Sequence, residues 1–135
     1  ADARAVYLTG NGPLVDVLRY ALGSKAFVRP VRNFYLQYGG KAKAPREHLF
    51  VFDEAQRAWD AERMGEKYGI SATAGEAVVA VADRAPGWAV VVALLGEGQE
   101  IHTGEEAGPG QWADGVRAAA AAWHVHGPPR LAGLF

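Results

Sequence analysis

The chain of 135 residues has no cysteine, which removes disulfide scaffolds, thiolate metal centres and cysteine nucleophiles from consideration. Apolar runs are short. None approaches the roughly 18–20 uninterrupted residues that a membrane-spanning helix requires, and no basic-then-apolar leader opens the chain. Charge of either sign is not in excess: the formal net charge is −1, so the chain as a whole has no electrostatic drive toward nucleic acid or an anionic membrane. Any such affinity must be local. Internal repeats and low-complexity tails are also lacking. With 50% hydrophobic and 21% charged residues, the expectation is one globular domain, soluble and cytoplasmic, able to bury a sizeable core. No initiator Met precedes Ala1-Asp2-Ala3, which reads as an excised piece of something longer.

Apolar patterning predicts strands alternating with helices. Residues 5–9 read as a strand, followed by the turn Gly10-Asn11-Gly12-Pro13 and a helix with Leu14, Leu18, Ala21 and Leu22 on one face, stopped by Gly23. Residues 24–47 are broken by Pro30, Gly39-Gly40 and Pro45, with one strand or helix around 31–38. Residues 48–52 form a second strand leading into a short helix from Asp53, and Asp60 to Tyr68 reads as a polar surface helix ending at Gly69. Residues 76–83 are helical, with a strand as the alternative. The eight apolar residues Trp88 to Leu95 read as a strand covered on both faces, inside the sheet. Trp112, Val116, Ala119, Ala120 and Trp123 line a further helix, and a last short strand lies near Leu131 to Phe135. The pattern predicts an α/β fold with a mainly parallel sheet and flanking helices.

Chemistry concentrates at the carboxyl ends of two strands. Leu49-Phe-Val-Phe52 delivers the adjacent carboxylates Asp53 and Glu54. In open α/β sheets ligands sit outside those strand ends. One carboxylate there can hold the Mg²⁺ that bridges phosphate oxygens, and the second can orient or deprotonate a water. The other reading is an acidic first helical turn that complements the helix dipole. After the second apolar run, Gly96 and Gly98 allow close backbone approach to a phosphate, and Gln99 offers both a donor and an acceptor. A plain glycine-rich turn is the alternative, and His102 is close enough in sequence to border the same crevice.

Residues 25–46 carry Lys25, Arg29, Arg32, Lys41, Lys43 and Arg46 with no acid, interleaved with Phe27, Phe34, Tyr35 and Tyr38. Basic groups can track a phosphate backbone while aromatic rings stack on unpaired bases; the same residues would otherwise form a solvated basic loop with aromatics in the core. Thr9 and Asn11, in their turn, can touch phosphates through hydroxyl, amide and backbone N–H groups. His124 and His126 bind metal only if a third ligand joins them. The tryptophans at 59, 88, 112 and 123 are expected to anchor the core. No Gly-x-x-x-x-Gly-Lys-Ser/Thr loop occurs in the chain, so the chain alone is expected to bind nucleotide weakly.

Three segments, Tyr7-Leu-Thr-Gly-Asn-Gly-Pro-Leu14, Phe52-Asp-Glu-Ala-Gln-Arg-Ala-Trp59 and the loop from Leu95 through Gly96, Gly98 and Gln99 to Glu106, resemble the Schlafen group of DNA/RNA helicases, a superfamily 1 type. The resemblance covers nearly the whole chain. It implies an incomplete RecA-like P-loop NTPase domain spanning 1–135, with the Walker A loop and second motor domain outside the chain. It implies that Asp53 and Glu54 are the Walker B pair, with Asp53 on Mg²⁺ and Glu54 on water. Gln56 acts in the same motif, and Gln99 is the motif III glutamine that senses the γ-phosphate of ATP. Thr9 and Asn11 then fall in motif Ia, which contacts single-stranded DNA or RNA.

Two further readings stand beside that of a fragment of a nucleic-acid-dependent ATPase. One is a non-catalytic helicase-like binding or interaction module, motivated by the missing phosphate loop. The other is a metal-dependent hydrolase built on Asp53 and Glu54, for which two carboxylates are too few ligands. An unpaired strand edge, left where the strand before the Walker A loop would lie, is expected to favour self-association.

Overall fold

A computed structural model describes residues 4–55, 58–96 and 108–135. Within them the chain runs β1 (Arg4–Thr9), α1 (Gly12–Leu22), β2 (Val28–Pro30), α2 (Val31–Tyr38), β3 (Glu47–Phe52), α3 (Ala61–Tyr68), α4 (Ala74–Asp83), β4 (Val90–Ala93) and α5 (Gly110–Ala118), closing with a 3-10 helix, Pro129–Leu134. The four strands form one sheet in the order β2-β1-β3-β4, with every neighbouring pair parallel.

Local sequence sets the helix ends. Asn11 caps α1 by accepting a hydrogen bond from the Leu14 N–H (3.2 Å), Pro13 occupies the first turn, and Gly23 closes the helix in the left-handed conformation. Thr73 and Glu76 form a reciprocal capping box at α4: the Glu76 N–H donates to the Thr73 hydroxyl (3.2 Å) and the Thr73 N–H to the Glu76 carboxylate (2.9 Å). Asp60 accepts from the Arg63 N–H (2.9 Å) to start α3.

The core lies on one face of the sheet. Val6 and Leu8 of β1 and Phe50 and Phe52 of β3 meet Phe34, Tyr35 and Tyr38 of α2, Met64 of α3, and Val78, Val81 and Ala82 of α4. Phe34 packs edge-on to Tyr35, Tyr38 and Phe50, with ring centroids 5.3–6.1 Å apart. Each fully buried phenylalanine contributes roughly 1.5–3 kcal/mol by burial. On the opposite face α1 covers β1 and β2. That division follows from right-handed crossovers, because the chain leaves β1 toward β2 and then returns past β1 to β3.

Several sequence expectations need correction. The apolar run at 88–95 supplies β4, but β4 closes the sheet among the described residues, and Val90, Val92 and Leu94 on one face remain 45%, 37% and 42% exposed. A continuous apolar run looks the same whether both faces are covered or one is, and α1 sits over β1 and β2 instead. Trp88 is likewise half exposed rather than a core anchor; its ring stacks on His48, whose Nδ1 lies 2.7 Å from the Trp88 carbonyl oxygen. The expected strand near Leu131 is the 3-10 helix, since the adjacent Pro128 and Pro129 offer no N–H to a strand ladder. The helix expected to reach Trp123 ends at Ala118. Leu22 of α1 is exposed, and Val15, absent from the expected face, is buried.

Just beyond α5 one carboxylate fastens residues 120–123, while Arg117 of α5 donates to the Leu134 carbonyl near the chain's end. Asp83 accepts from the Ala120 N–H (2.8 Å), the Ala121 N–H (3.2 Å) and the Trp123 Nε1–H (3.0 Å). Burial acts to raise the Asp83 carboxyl, but these three donors together hold it below its ordinary value. A carboxyl lowered in the folded state contributes stability above its unfolded value of about 4 and loses it as pH falls through the lower folded value. Acidification below about pH 4 is therefore expected to release this tail. The readout is a red shift of Trp123 emission, which Asp83→Ala should produce already at neutral pH. An unchanged spectrum in Asp83→Ala would refute the tether.

Candidate functional site

The order β2-β1-β3-β4 creates a topological switch point between β1 and β3. From β1 the chain departs to β2 on one side, and from β3 to β4 on the other, so the loops after β1 and β3 part and leave a crevice at their carboxyl ends. A cavity of about 560 Å³ lies there. Its lining includes Thr9, Gly10, Asn11 and Gly12 from the β1–α1 turn, Val31 and Arg32 from the start of α2, and Asp53 and Glu54 after β3. Tyr35, Trp59 and Tyr68 form its aromatic wall.

The loop carrying the two carboxylates is fixed from several directions. The Asp53 N–H donates to the Leu8 carbonyl (2.9 Å), and the Ala55 N–H to the Leu94 carbonyl at the end of β4 (2.8 Å). Trp112 of α5 donates its indole N–H to the Ala55 carbonyl (3.0 Å), and the Ala74 N–H donates to the Trp59 carbonyl (2.8 Å). Gln111, 1% exposed, bridges this loop to α4: its Nε2 donates to the Ala58 carbonyl (2.8 Å) and its Oε1 accepts from the Gly75 N–H (2.6 Å). Asp53 and Glu54 themselves form a turn rather than the start of an α-helix, and Glu54 takes a left-handed backbone with φ 53°. That conformation costs a non-glycine residue about 1–2 kcal/mol, and such strain clusters at functional sites.

Tyr7 completes the surroundings of Asp53. Burial first, then the charge of Asp53 and a hydrogen bond to it, and then the charge of Glu54 raise the Tyr7 phenol above its usual value. Thr9, buried, accepts the Asn11 N–H at its hydroxyl (3.2 Å), which locks the β1–α1 turn beside the carboxylates.

Thus Thr9, Asn11, Arg32, Asp53 and Glu54 share one cavity. Arg29 does not line it; its guanidinium contacts Glu47 (3.3 Å) and Gln37. Phe34 and Tyr38 of the basic segment are buried in the core and present no open faces for bases, while Tyr35, largely buried, borders the cavity. Gln56, Gly98, Gln99 and His102 lie outside the described residues, while Gly96, exposed, follows β4. The neighbouring, parallel placement of β3 and β4 brings the two chemistry-bearing strand ends side by side.

Tyr7, Gln111 and Trp112 escaped the sequence reading as site residues. Tyr7 looked like one strand position among others, and Gln111 carried no motif. Trp112 was legible as an anchor, but not as the donor that holds the Ala55 carbonyl.

The donor set suits one kind of metal. Mg²⁺ takes oxygen ligands, keeps several waters, and is held by one or two carboxylates together with substrate phosphates. Asp53 and Glu54 fit a cation that arrives on phosphates. Among the described residues no group of three or more His, Cys, Asp or Glu side chains could cage a metal alone, and this includes His124 and His126. No described helix is long and apolar enough to cross a membrane.

Compared with known families, residues 1–133 match the family model described as Schlafen group 3, DNA/RNA helicase domain. No curated protein and no solved structure matches the chain.

Proposed function

Since the chain belongs to the Schlafen group 3 DNA/RNA helicase domain family, we propose that it supplies the metal-binding and water-orienting part of a nucleic-acid-dependent ATPase. The observation that carries this reading is the shared cavity at the switch point, where Asp53 and Glu54 face the β1–α1 turn and Arg32. In it Asp53 holds the Mg²⁺ delivered with ATP, and Glu54 accepts a proton from, or orients, the attacking water. When bound, the metal neutralises charge on the phosphate oxygens. Gln56 and Gln99 act beside them at the γ-phosphate, and Gly96 and Gly98 let the backbone approach it. Thr9, Asn11 and Arg32 contact the phosphate backbone of single-stranded DNA or RNA, while Arg29, paired with Glu47 and Gln37, is left out of that contact. The same chain associates with itself through a strand edge.

ATP hydrolysis by the complete encoded product, with and without a single-stranded oligonucleotide, tests this reading. The expected rate depends on Mg²⁺, rises with the oligonucleotide and disappears in Asp53→Asn. Hydrolysis that survives Asp53→Asn contradicts it. Among the described residues Arg32 is the one cation lining the cavity, which favours, as the second reading, a binding module; oligonucleotide binding without any ATP hydrolysis would select that reading.

A further inference from the structure

A short aromatic ladder lines the cavity at the switch point. Trp59 lies nearly parallel to Tyr68, with ring centroids 5.9 Å apart and 20° between the planes, and Tyr68 leans on Tyr35 (5.3 Å). All three share the cavity with Arg32 and the β1–α1 turn. Tyr35 is fixed from behind, because its hydroxyl donates to the Ala74 carbonyl (3.3 Å) and the residue is buried. Trp59 and Tyr68 are only half-buried. Near-parallel rings with centroids so far apart form an offset stack, which leaves part of the Trp59 surface to another neighbour.

That neighbour is Arg63, in the first turn of α3. Its guanidinium lies over the Trp59 ring, 5.1 Å from the centroid. The arrangement is poorly satisfied. Among the described residues the Arg63 Nε–H is buried without a hydrogen-bond partner, and the ion pair to Glu66 is 4.0 Å long between side chains 43% and 61% exposed. So exposed a pair contributes little, and a buried donor without a partner carries a desolvation penalty that is removed when the group is freed. The cation is therefore held over the ring chiefly by the ring itself. Another planar group can take its place.

We propose that Trp59 receives an unpaired base of the single strand at the place Arg63 occupies in the free chain, and that Arg63 swings to the strand's phosphate. This rests on the nucleic-acid reading above and adds to it a base subsite and a second cation. Every base has a π-face, so the subsite tolerates any sequence, while a paired and stacked duplex cannot enter it. Arg32 and the Thr9–Gly12 turn offer polar groups to a phosphate, and the ladder in the same cavity offers an apolar surface to the base beside it. Displacement frees the Arg63 Nε–H to meet solvent or phosphate, so an arriving base relieves the defect of the free chain. Phe34 and Tyr38, locked in the core, have no such displaceable cover.

Titration of a short single-stranded oligothymidylate, and of its abasic counterpart, into the chain tests the proposal. The base-bearing strand is expected to bind about 5- to 150-fold more tightly, the range of one stacked base. In the wild type the Arg63 Nε–H resonance should shift with the base-bearing strand and stay in place with the abasic one, a readout that needs no variant. Trp59→Phe should retain the preference and Trp59→Leu should erase it, with circular dichroism verifying the fold. Arg63→Met should keep the preference while lowering the slope of log affinity against log salt by about 0.7, the value of one phosphate contact on a single strand. A preference that survives in folded Trp59→Leu, an Arg63 resonance indifferent to the base, or an unchanged salt slope in Arg63→Met overturns the proposal. Equal affinity for the two strands overturns it while leaving the phosphate-contact reading standing, whereas binding of neither strand overturns both.

Discussion

Gln111→Leu is expected to destabilise the domain by about 2–4 kcal/mol, although it replaces a polar side chain by an apolar one of similar volume. The side chain is 1% exposed and satisfies two buried backbone groups, the Gly75 N–H and the Ala58 carbonyl. Leucine satisfies neither. Each orphaned group carries a desolvation penalty of about 1–3 kcal/mol, which the apolar gain offsets only in part. In a domain of this size that corresponds to a fall in melting temperature of roughly 10 °C. Thermal unfolding followed by circular dichroism reads it. A melting temperature within about 2 °C of wild type would show that the bridge between α5, α4 and the acidic loop contributes little.

Glu54→Gln carries the largest functional effect. In the complete encoded product it should reduce ATP turnover by about 10²–10⁴-fold, the range contributed by a positioned general base. Nucleotide affinity should stay within a few-fold, because the amide is isosteric and Asp53 remains. A loss in turnover without a loss in binding marks an interaction made in the transition state. Asp53→Asn should behave differently, raising the Mg²⁺ concentration needed for any activity. Turnover unchanged in Glu54→Gln would remove Glu54 from the chemistry and leave its left-handed backbone (φ 53°) without a catalytic explanation.

How much was legible beforehand depended on how local each determinant is. The β1 and β3 segments declared themselves through apolar period, α4 as a helix with a strand left as the alternative, and the ends of α1 and α3 through Pro13, Gly23, Asp60 and Gly69, because such signals act within one turn. The acidic pair and the Thr9–Asn11 turn were visible as motifs at strand ends. Their meeting in one cavity was not, since that depends on strand order, which is non-local. For the same reason the run at Trp88 to Leu95 misled: its composition speaks for burial, while the placement of α1 leaves one face of β4 open. Arg29 and Arg32 are equivalent in sequence, yet only Arg32 lines the cavity, because Glu47 draws Arg29 to the far end of the sheet's first strands. Gln111 had no sequence signal at all, being defined by the two backbone groups it joins across 36 and 53 positions.

The central claim is spatial: a divalent cation carried on phosphates enters the cavity between the β1–α1 turn and the turn after β3. Mn²⁺ substituted for Mg²⁺ makes that position visible, because its unpaired electrons broaden nearby nuclear resonances even at low occupancy. Titration of Mn²⁺ with ATP into the isotopically labelled chain should selectively erase the amide signals of Thr9 to Gly12 and of Asp53 to Ala55, and Asp53→Asn should preserve them. Broadening centred on other carboxylates, or the same broadening in Asp53→Asn, would contradict the assignment of this cavity.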